Sequence, residues 1–451
     1  MTYYEQNRET FLAGLKEFLR IPSVSTLPEH NADIRRAAEF AANELRQAGM
    51  QLAEVIQGQG HPLVYGEWLG APGKPTLLMY GHYDVQPPDP LDEWTTPPFE
   101  PTVRGNDLFA RGASDDKGQV YLLIKAVEGF LKTQGRLPVN VKFLLEGEEE
   151  VGGEHIDEYV AKNPSRLAAD AAVICDTEMF APNLPTLCIG LRGMVYMELD
   201  VRGARHDLHS GSYGGAAPNP IQALSEILCA LKDHEGRIHI PGFYDRVLPP
   251  AAKELEAWAR LPFDEEAYKR TEMGVSELVG EPGVPLFERI WARPTFEVHG
   301  IRGGFTGEGA KTVIPARAIG KVSMRLAPDQ RPAEAIEQFK RAVESVRPRG
   351  VSVEIRCLSS APPSLVDPGN PFIRASASAM TKAFGVETVF TRNGGSIPVV
   401  GLFDRQLGIP SVMMGFALPD DNAHAPNEKL HLPNFYNGID AVAAYLEELG
   451  K

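Results

Sequence analysis

Acidic and histidine side chains recur directly after short apolar runs, where they could bind metal ions together. The groups are His82 and Asp84 after Thr76–Tyr80, Glu149 and Glu150 after Val139–Leu145, Asp176 after Ala171–Cys175, and His424 in the loop that follows Ser411–Met414. In an open parallel sheet the ligand crevice lies at the carboxyl ends of the strands. We therefore expect these groups to converge, although they are far apart in the sequence.

A crevice lined by several carboxylates is electrostatically unstable by itself, because buried like charges repel. Divalent cations remove that repulsion, and two such ions more than balance three coordinating carboxylates. The set therefore predicts a centre with two metal ions.

The local spacings fit this interpretation. His82 and Asp84 are two residues apart in an extended segment and face the same way, so Asp84 can hold one ring nitrogen while the other binds metal. Glu149 and Glu150 are adjacent and diverge, so one can bind metal while the other faces a water. Asp115 precedes a predicted helix and can share its two oxygens between two ions.

Each of these signals is weak when it is taken alone. A His-x-Asp at a strand end is more typical of a hydrogen-bonded loop, and a run of glutamates is more typical of a solvated face. Asp115-Asp116 before a helix is by itself an ordinary N-cap. The joint placement of the groups at successive strand ends is what favours a metal site.

The elements that position these groups indicate an α/β fold. Short, nearly continuous apolar strands alternate with helices such as 120–131 and 439–449. This pattern predicts a mostly parallel sheet that is covered by helices on both faces.

The middle of the chain has a different pattern, with apolar and polar residues in strict alternation. It occurs at 195–202, 321–326 and 351–357 and is typical of half-exposed antiparallel strands. With a strand near 295–299 and helices at 220–232 and 332–346, the order is βαββαβ, a ferredoxin-like arrangement. Residues 240–290 are expected to form a helical insertion within it. We predict a catalytic domain of residues 1–190 and 363–451, interrupted by an inserted domain of residues 191–362.

Composition excludes several classes of protein. The 451 residues include 45 Lys and Arg against 60 Asp and Glu, a net charge of −15. This acidity argues against nucleic-acid and anionic-membrane partners, and no run approaches the length of a membrane span. Four scattered cysteines and a charged N-terminal segment without a signal-peptide core favour a cytoplasmic protein.

The motifs together resemble a known family, the dinuclear-zinc metallopeptidases of the aminoacylase, carnosinase and carboxypeptidase G type. The matching segments, in order along nearly the whole chain, are GHYDVQP, RGASDDKG, LLEGEEEVGG, ICD, HSGSYGG, GAKTVIPA, NGGSIPV and AHAPNEKL. The likeness is strongest to the dipeptidase branch, which includes carnosinase and cytosolic nonspecific dipeptidase.

The resemblance implies a role for each residue of the metal set. It implies that His82 and Asp176 bind one ion, that Glu150 and His424 bind the other, and that Asp115 bridges both. Asp84 is expected to orient His82, and Glu149 to act as the general base. Zinc is the expected metal, and manganese or cobalt would also suit the mixed nitrogen and oxygen ligands.

The resemblance also implies roles in the inserted domain, which is expected to act as a lid and to form a homodimer. His209 resembles a histidine that reaches across the dimer interface to stabilise the oxyanion in the partner's active site. Thr312, Arg325 and Ser396 resemble residues that hold the carboxylate end of the substrate.

These features predict a hydrolase that cleaves dipeptides or short peptides with a free C-terminal carboxylate, using a metal-activated water. An N-acyl-amino-acid deacylase or desuccinylase on the same site is the alternative. The intact set of ligands argues against a catalytically silent binding protein. The lack of a glycine-rich phosphate loop between a strand and a helix argues against a nucleotide-binding enzyme.

Overall fold

Strands and helices alternate through most of the computed structural model, which describes residues 2–451 apart from the side chain of Glu154. The strands are β1 (Leu52–Ile56), β2 (Leu63–Trp68), β3 (Thr76–His82), β4 (Thr102–Arg104), β5 (Asp107–Phe109), β6 (Asn140–Glu146), β7 (Ala171–Ile174), β8 (Thr186–Leu191), β9 (Gly193–Arg202), β10 (Leu208–His209), β11 (Thr295–Gly303), β12 (Val313–Ile314), β13 (Arg317–Leu326), β14 (Ser352–Ala361), β15 (Ser364–Leu365), β16 (Val389–Asn393), β17 (Ser411–Met414) and β18 (Lys429–His431). The helices are α1 (Tyr3–Gln6), α2 (Arg8–Leu19), α3 (Asn31–Ala48), α4 (Lys117–Gln134), α5 (Glu154–Lys162), α6 (Pro164–Leu167), α7 (Ser210–Tyr213), α8 (Pro220–Leu231), α9 (Ala252–Trp258), α10 (Glu265–Ala267), α11 (Leu286–Trp291), α12 (Pro332–Val346), α13 (Pro371–Phe384), α14 (Pro398–Leu407) and α15 (Leu432–Leu449).

The chain divides into two compact units. The first contains the residues up to 189 together with 366–391 and 402–451, and the second contains 190–365 and 392–401. The predicted domain boundaries, and the role of residues 191–362 as a lid and dimerisation domain, stay predictions.

The first unit is built on a sheet with the strand order β1-β2-β6-β3-β7-β17-β8. The central strands β6, β3, β7 and β17 are parallel, and the pairs towards both ends of this order are antiparallel. Every residue of β6 and β7 is buried, as expected of strands covered on both faces. The predicted α/β class with a mainly parallel sheet is confirmed.

Long helices of the first unit pack against this sheet and align the segments between them. Helix α3 packs on β1 and β2 and ends at Gly49, whose φ of 105° is the left-handed cap that its position predicts. Helix α4 packs on β3, and its N-terminal end lies at the carboxyl end of that strand, where the Asp116 side chain accepts a hydrogen bond from the His82 amide. No helix within residues 2–451 combines the length and apolar character of a membrane span.

The second unit contains the predicted βαββαβ order as β9-α8-β11-β13-α12-β14. Its strands pair in the order β11-β13-β9-β14, and every pair is antiparallel. The alternating side chains Val195, Met197, Leu199 and Val201 are fully buried in one core with the apolar faces of α8 and α12. The opposite face of the sheet carries polar side chains, including that of Arg325.

The segment 240–290 contains short helices, of which α9, α10 and α11 are the α-helical ones. Aromatic rings join this segment together. Trp291 packs edge-on against Trp258 with centroids 5.2 Å apart and stacks on Phe287 at 4.3 Å.

Candidate metal centre

The carboxyl ends of the parallel strands carry most of the predicted ligands. His82 is the last residue of β3, Asp176 lies two residues beyond β7, and Glu150 lies in a short 3-10 turn, Glu149–Val151, beyond β6. His424 lies in the loop after β17. Because these strands are parallel neighbours, their ends meet at one edge of the sheet.

Asp115, which precedes α4, lies between two histidines. Its Oδ1 is 3.0 Å from His82 Nε2, and its Oδ2 is 2.9 Å from His424 Nε2. His424 Nε2 is also 3.3 Å from Glu150 Oε2. The two oxygens of one carboxylate therefore face two different sets of ligands.

These contacts define two groups that could each hold a metal ion, His82 with Asp115 and Asp176, and Asp115 with Glu150 and His424. Within each group the ligand atoms lie within 4.8 Å of one another. Imidazole and carboxylate ligands suit zinc, and they also suit other divalent transition metals. The residues therefore fit a centre of two ions that share Asp115.

Asp84 connects His82 to the glutamate turn. His82 Nδ1 lies 3.1 Å from the Asp84 carbonyl and 3.4 Å from its carboxylate. The same carboxylate accepts hydrogen bonds from the amides of Glu149 and Glu150 at 3.3 and 3.2 Å. Asp84 is completely buried, so it holds the His82 ring and the turn in a fixed relation.

The charges of the centre favour cations. Burial raises the pKa of Asp176, and repulsion from Asp116 raises it further. Burial also raises the pKa of Glu149 to about 7, with His82 opposing this shift and Glu150 adding to it. Bound cations would relieve this repulsion and return the carboxyls to their charged forms.

The two histidines have raised pKa values in this acidic environment. Burial lowers the pKa of His82, but hydrogen bonds to Asp115 and Asp84 outweigh that effect and raise it well above the usual value. Hydrogen bonds to Asp115 and Glu150 raise the pKa of His424 to about 10. The raised pKa values follow from the surrounding carboxylates, which stabilise positive charge at this position.

His209, Thr312 and Arg325 lie in the second unit, as does Ser396, which was predicted in the catalytic domain. The four residues form two pairs. Arg325 Nη1 donates to Ser396 Oγ at 3.2 Å, and Ser396 Oγ donates to the carbonyl of Arg192 at 2.5 Å. His209 and Thr312 lie next to each other, because β10 pairs with β12 and the Ser210 amide donates to the Thr312 carbonyl at 3.1 Å.

Sequence reasoning missed several residues that contact the predicted site residues. Asp116 occupies the N-cap position of α4 but makes no capping bond; its carboxylate accepts the amide of His82 at 3.1 Å instead. Arg192 is buried beside Ser396 and donates to the Gly394 carbonyl at 3.1 Å. Glu428 is buried against the segment before α4. Its neighbours Asn427 and Lys429 are both polar, so no apolar pattern in the sequence marks it.

The fold and the paired ligand groups are those of a dinuclear metallohydrolase. A family model described as Peptidase family M20/M25/M40 matches residues 78–448. The chain belongs to this family, and the resemblance predicted from its motifs is confirmed.

Similar proteins support this assignment over the full length. A Cys-Gly metallodipeptidase of Candida albicans is 34% identical, covering 99% of this chain and 96% of its own. The human Beta-Ala-His dipeptidase is 31% identical, covering 100% of this chain and 92% of its own. The crystal structure of an M20 family metallo-carboxypeptidase from Sulfolobus solfataricus has a TM-score of 0.86 and 33% identity, covering 98% of this chain and 99% of that one.

Replacing Asp115 should affect both ions, whereas replacing His424 should affect one. We expect Asp115→Asn to weaken the binding of both Zn²⁺ equivalents, because each group loses a charged ligand that it shares. His424→Ala should leave one equivalent bound as in the unchanged protein. Metal content after dialysis against buffered Zn²⁺ measures both outcomes. Loss of only one ion in Asp115→Asn would contradict a shared carboxylate.

Proposed function

We propose that this enzyme hydrolyses dipeptides and short peptides that have a free C-terminal carboxylate. The observation that carries the proposal is the Asp115 carboxylate, which faces a separate ligand group with each of its oxygens. Full-length similarity to dipeptidases of the same family supports the choice of a peptide substrate.

The metal ions are proposed to be zinc, held by His82, Asp115 and Asp176 at one position and by Asp115, Glu150 and His424 at the other. When bound, such ions polarise a carbonyl group and acidify water. Manganese or cobalt suits the same ligands.

Glu149 is the proposed general base. Its carboxylate takes a proton from the attacking water and delivers it to the departing amine nitrogen. The neighbouring Glu150 is a ligand, and Asp84 fixes the amides of both residues, so the Glu149 side chain remains available for proton transfer.

His209 is proposed to act on the oxyanion in a second subunit. Its Nδ1 accepts a hydrogen bond from the Gly211 amide at 3.0 Å, so the proton of the neutral ring is on Nε2. The side chain is exposed, and Nε2 can donate to a negatively charged oxygen. We therefore propose a homodimer formed through residues 191–362, which also act as the lid over a catalytic domain of 1–190 and 363–451.

Arg325 is proposed to bind the substrate carboxylate, together with Ser396 and Thr312. A guanidinium group binds a carboxylate through two parallel hydrogen bonds, a geometry that lysine cannot offer. The hydrogen bond from Arg325 to Ser396 holds the side chain in place before substrate binds.

A cytoplasmic location is also proposed. None of the four cysteines forms a disulfide bond in the described chain, as is usual for proteins of a reducing compartment.

A substrate panel tests the proposed activity directly. Zinc-loaded enzyme should hydrolyse unmodified dipeptides with a higher kcat/KM than N-acetyl or N-succinyl amino acids. Release of free amino acids measures both reactions on the same preparation. Faster cleavage of the acylated amino acids would support a deacylase or desuccinylase in place of the dipeptidase.

Glu149→Gln should keep both ions but lower kcat by about 10²- to 10⁴-fold, because the amide cannot accept the water proton. Metal content and steady-state kinetics on one preparation provide the two readouts. Glu158→Gln, a change on the exposed surface of α5, is the control and should retain normal turnover. Near-normal kcat in Glu149→Gln would remove this residue from the proposed role.

Arg325→Ala should raise KM for dipeptides with a free carboxylate much more than KM for their C-terminal amides. The guanidinium contributes a charged pair only when the substrate carries the negative group. Kinetics on matched acid and amide substrates give the ratio. Equal increases for both would contradict carboxylate binding by Arg325.

A further inference from the structure

Glu428 is a fully buried acid at the junction of two loops that carry metal ligands. Its Oε1 accepts the amides of Ser114 and Asp115 at 2.9 and 3.1 Å. Its Oε2 accepts the Gly112 amide at 2.9 Å and Arg111 Nη1 at 2.8 Å. All four donors belong to residues 111–115. Each oxygen of the Glu428 carboxylate therefore accepts two hydrogen bonds from this one segment.

Further hydrogen bonds join the same two loops. The Ala110 amide donates to the Glu428 carbonyl at 3.0 Å. From the other side, Ser114 Oγ donates to the buried carboxylate of Asp421 at 2.9 Å, and that oxygen also accepts the Leu418 amide at 2.7 Å. The segment before α4 and the loop that holds His424 are thus tied at two points, although they are more than three hundred residues apart in sequence.

This connection matters because Asp115 must satisfy two positions at once. Its side chain reaches His82 with one oxygen and His424 with the other. A shift of its backbone therefore moves a ligand of both groups. Glu428 accepts the Asp115 amide directly and lies four residues after His424, so it connects the backbone segments of these two ligands.

We propose that Glu428 is a positioning residue that sets the spacing of Asp115 and His424 and so determines the metal affinity of the paired centre. This inference rests on the proposed function only in requiring that the centre binds metal. Both carboxylate oxygens of Glu428 are occupied by residues 111–115, so it acts through the backbone of Asp115. Groups that orient ligands in this way typically alter metal affinity by about 10- to 100-fold when they are changed.

The test is Glu428→Gln in the full-length protein, with Zn²⁺ in chelator-buffered solutions as the probe. The amide retains one acceptor oxygen but presents N–H groups to donors, so two hydrogen bonds are lost while the volume is kept. We expect at least one of the two Zn²⁺ equivalents to bind about 10- to 100-fold more weakly. Activity should recover when Zn²⁺ is raised, with KM for the dipeptide unchanged.

Glu128→Gln is the matched control. Glu128 is also a buried acid of the first unit, and it accepts hydrogen bonds from Lys125 at 2.6 Å and Tyr3 at 2.8 Å. Glu128 lies about three turns along α4 from the metal ligands. The Glu128→Gln change should therefore lower thermal stability without changing Zn²⁺ affinity. Unchanged Zn²⁺ affinity in Glu428→Gln, or an equal loss in both variants, would overturn the proposal.

A measurement on the unchanged protein covers the case in which Glu428→Gln does not fold. Hydrogen exchange should show the amides of Ala110, Gly112, Ser114 and Asp115, which donate to Glu428, protected before metal is added. Fast exchange of these four amides would contradict the tie between the loops. A protein that binds no Zn²⁺ at all would instead contradict the proposed metal-dependent function.

Discussion

The sharing of one carboxylate between two imidazoles is the constraint around which the first unit is arranged. Asp115 satisfies His82 and His424 at once only if the end of β3, the start of α4 and the loop after β17 are held in fixed positions. The parallel strands provide the common edge, and α4 packs against β3 to place the segment before it. Two buried acids, Asp84 and Glu428, then accept hydrogen bonds from backbone amides of the ligand segments and fix them in place.

The two units have opposite local electrostatics. The centre of the first unit gathers carboxyls that repel one another and raise the pKa of both histidines. In the second unit burial lowers the pKa of Arg192 to about 10, with a further contribution from Arg325. A local excess of positive charge of this kind suits an anionic group, such as the substrate carboxylate that is proposed for Arg325.

Much of this arrangement could be predicted because it depends on local order in the sequence. His82, Glu150 and Asp176 follow apolar runs directly, and the ends of parallel strands must meet. The alternation of apolar and polar residues at 195–202 likewise indicates a strand with one buried face. Strands of this kind allowed the βαββαβ unit to be predicted. The antiparallel strands β1 and β2 were not anticipated, because the prediction relied on continuous apolar runs and β1 is only partly buried.

The supporting residues could not be predicted, because their partners are distant in sequence. Arg111 and Glu428 form a buried ion pair across more than three hundred residues, and neither lies in a periodic pattern that reveals the other. Asp116 illustrates a different difficulty. Its position favours a helix cap, but the amide of His82 competes for the same carboxylate, and only the packing of α4 on β3 decides between them.

The order of the ligands along the chain has a consequence for biosynthesis. The strands next to His82, Glu150 and Asp176 are translated more than two hundred residues before His424. β17, which lies between β7 and β8 in the sheet, is made after both of these neighbours. The residues of the first ligand group are therefore available to a nascent chain well before those of the second group. A paired centre can form only after the segment that carries His424 has emerged from the ribosome.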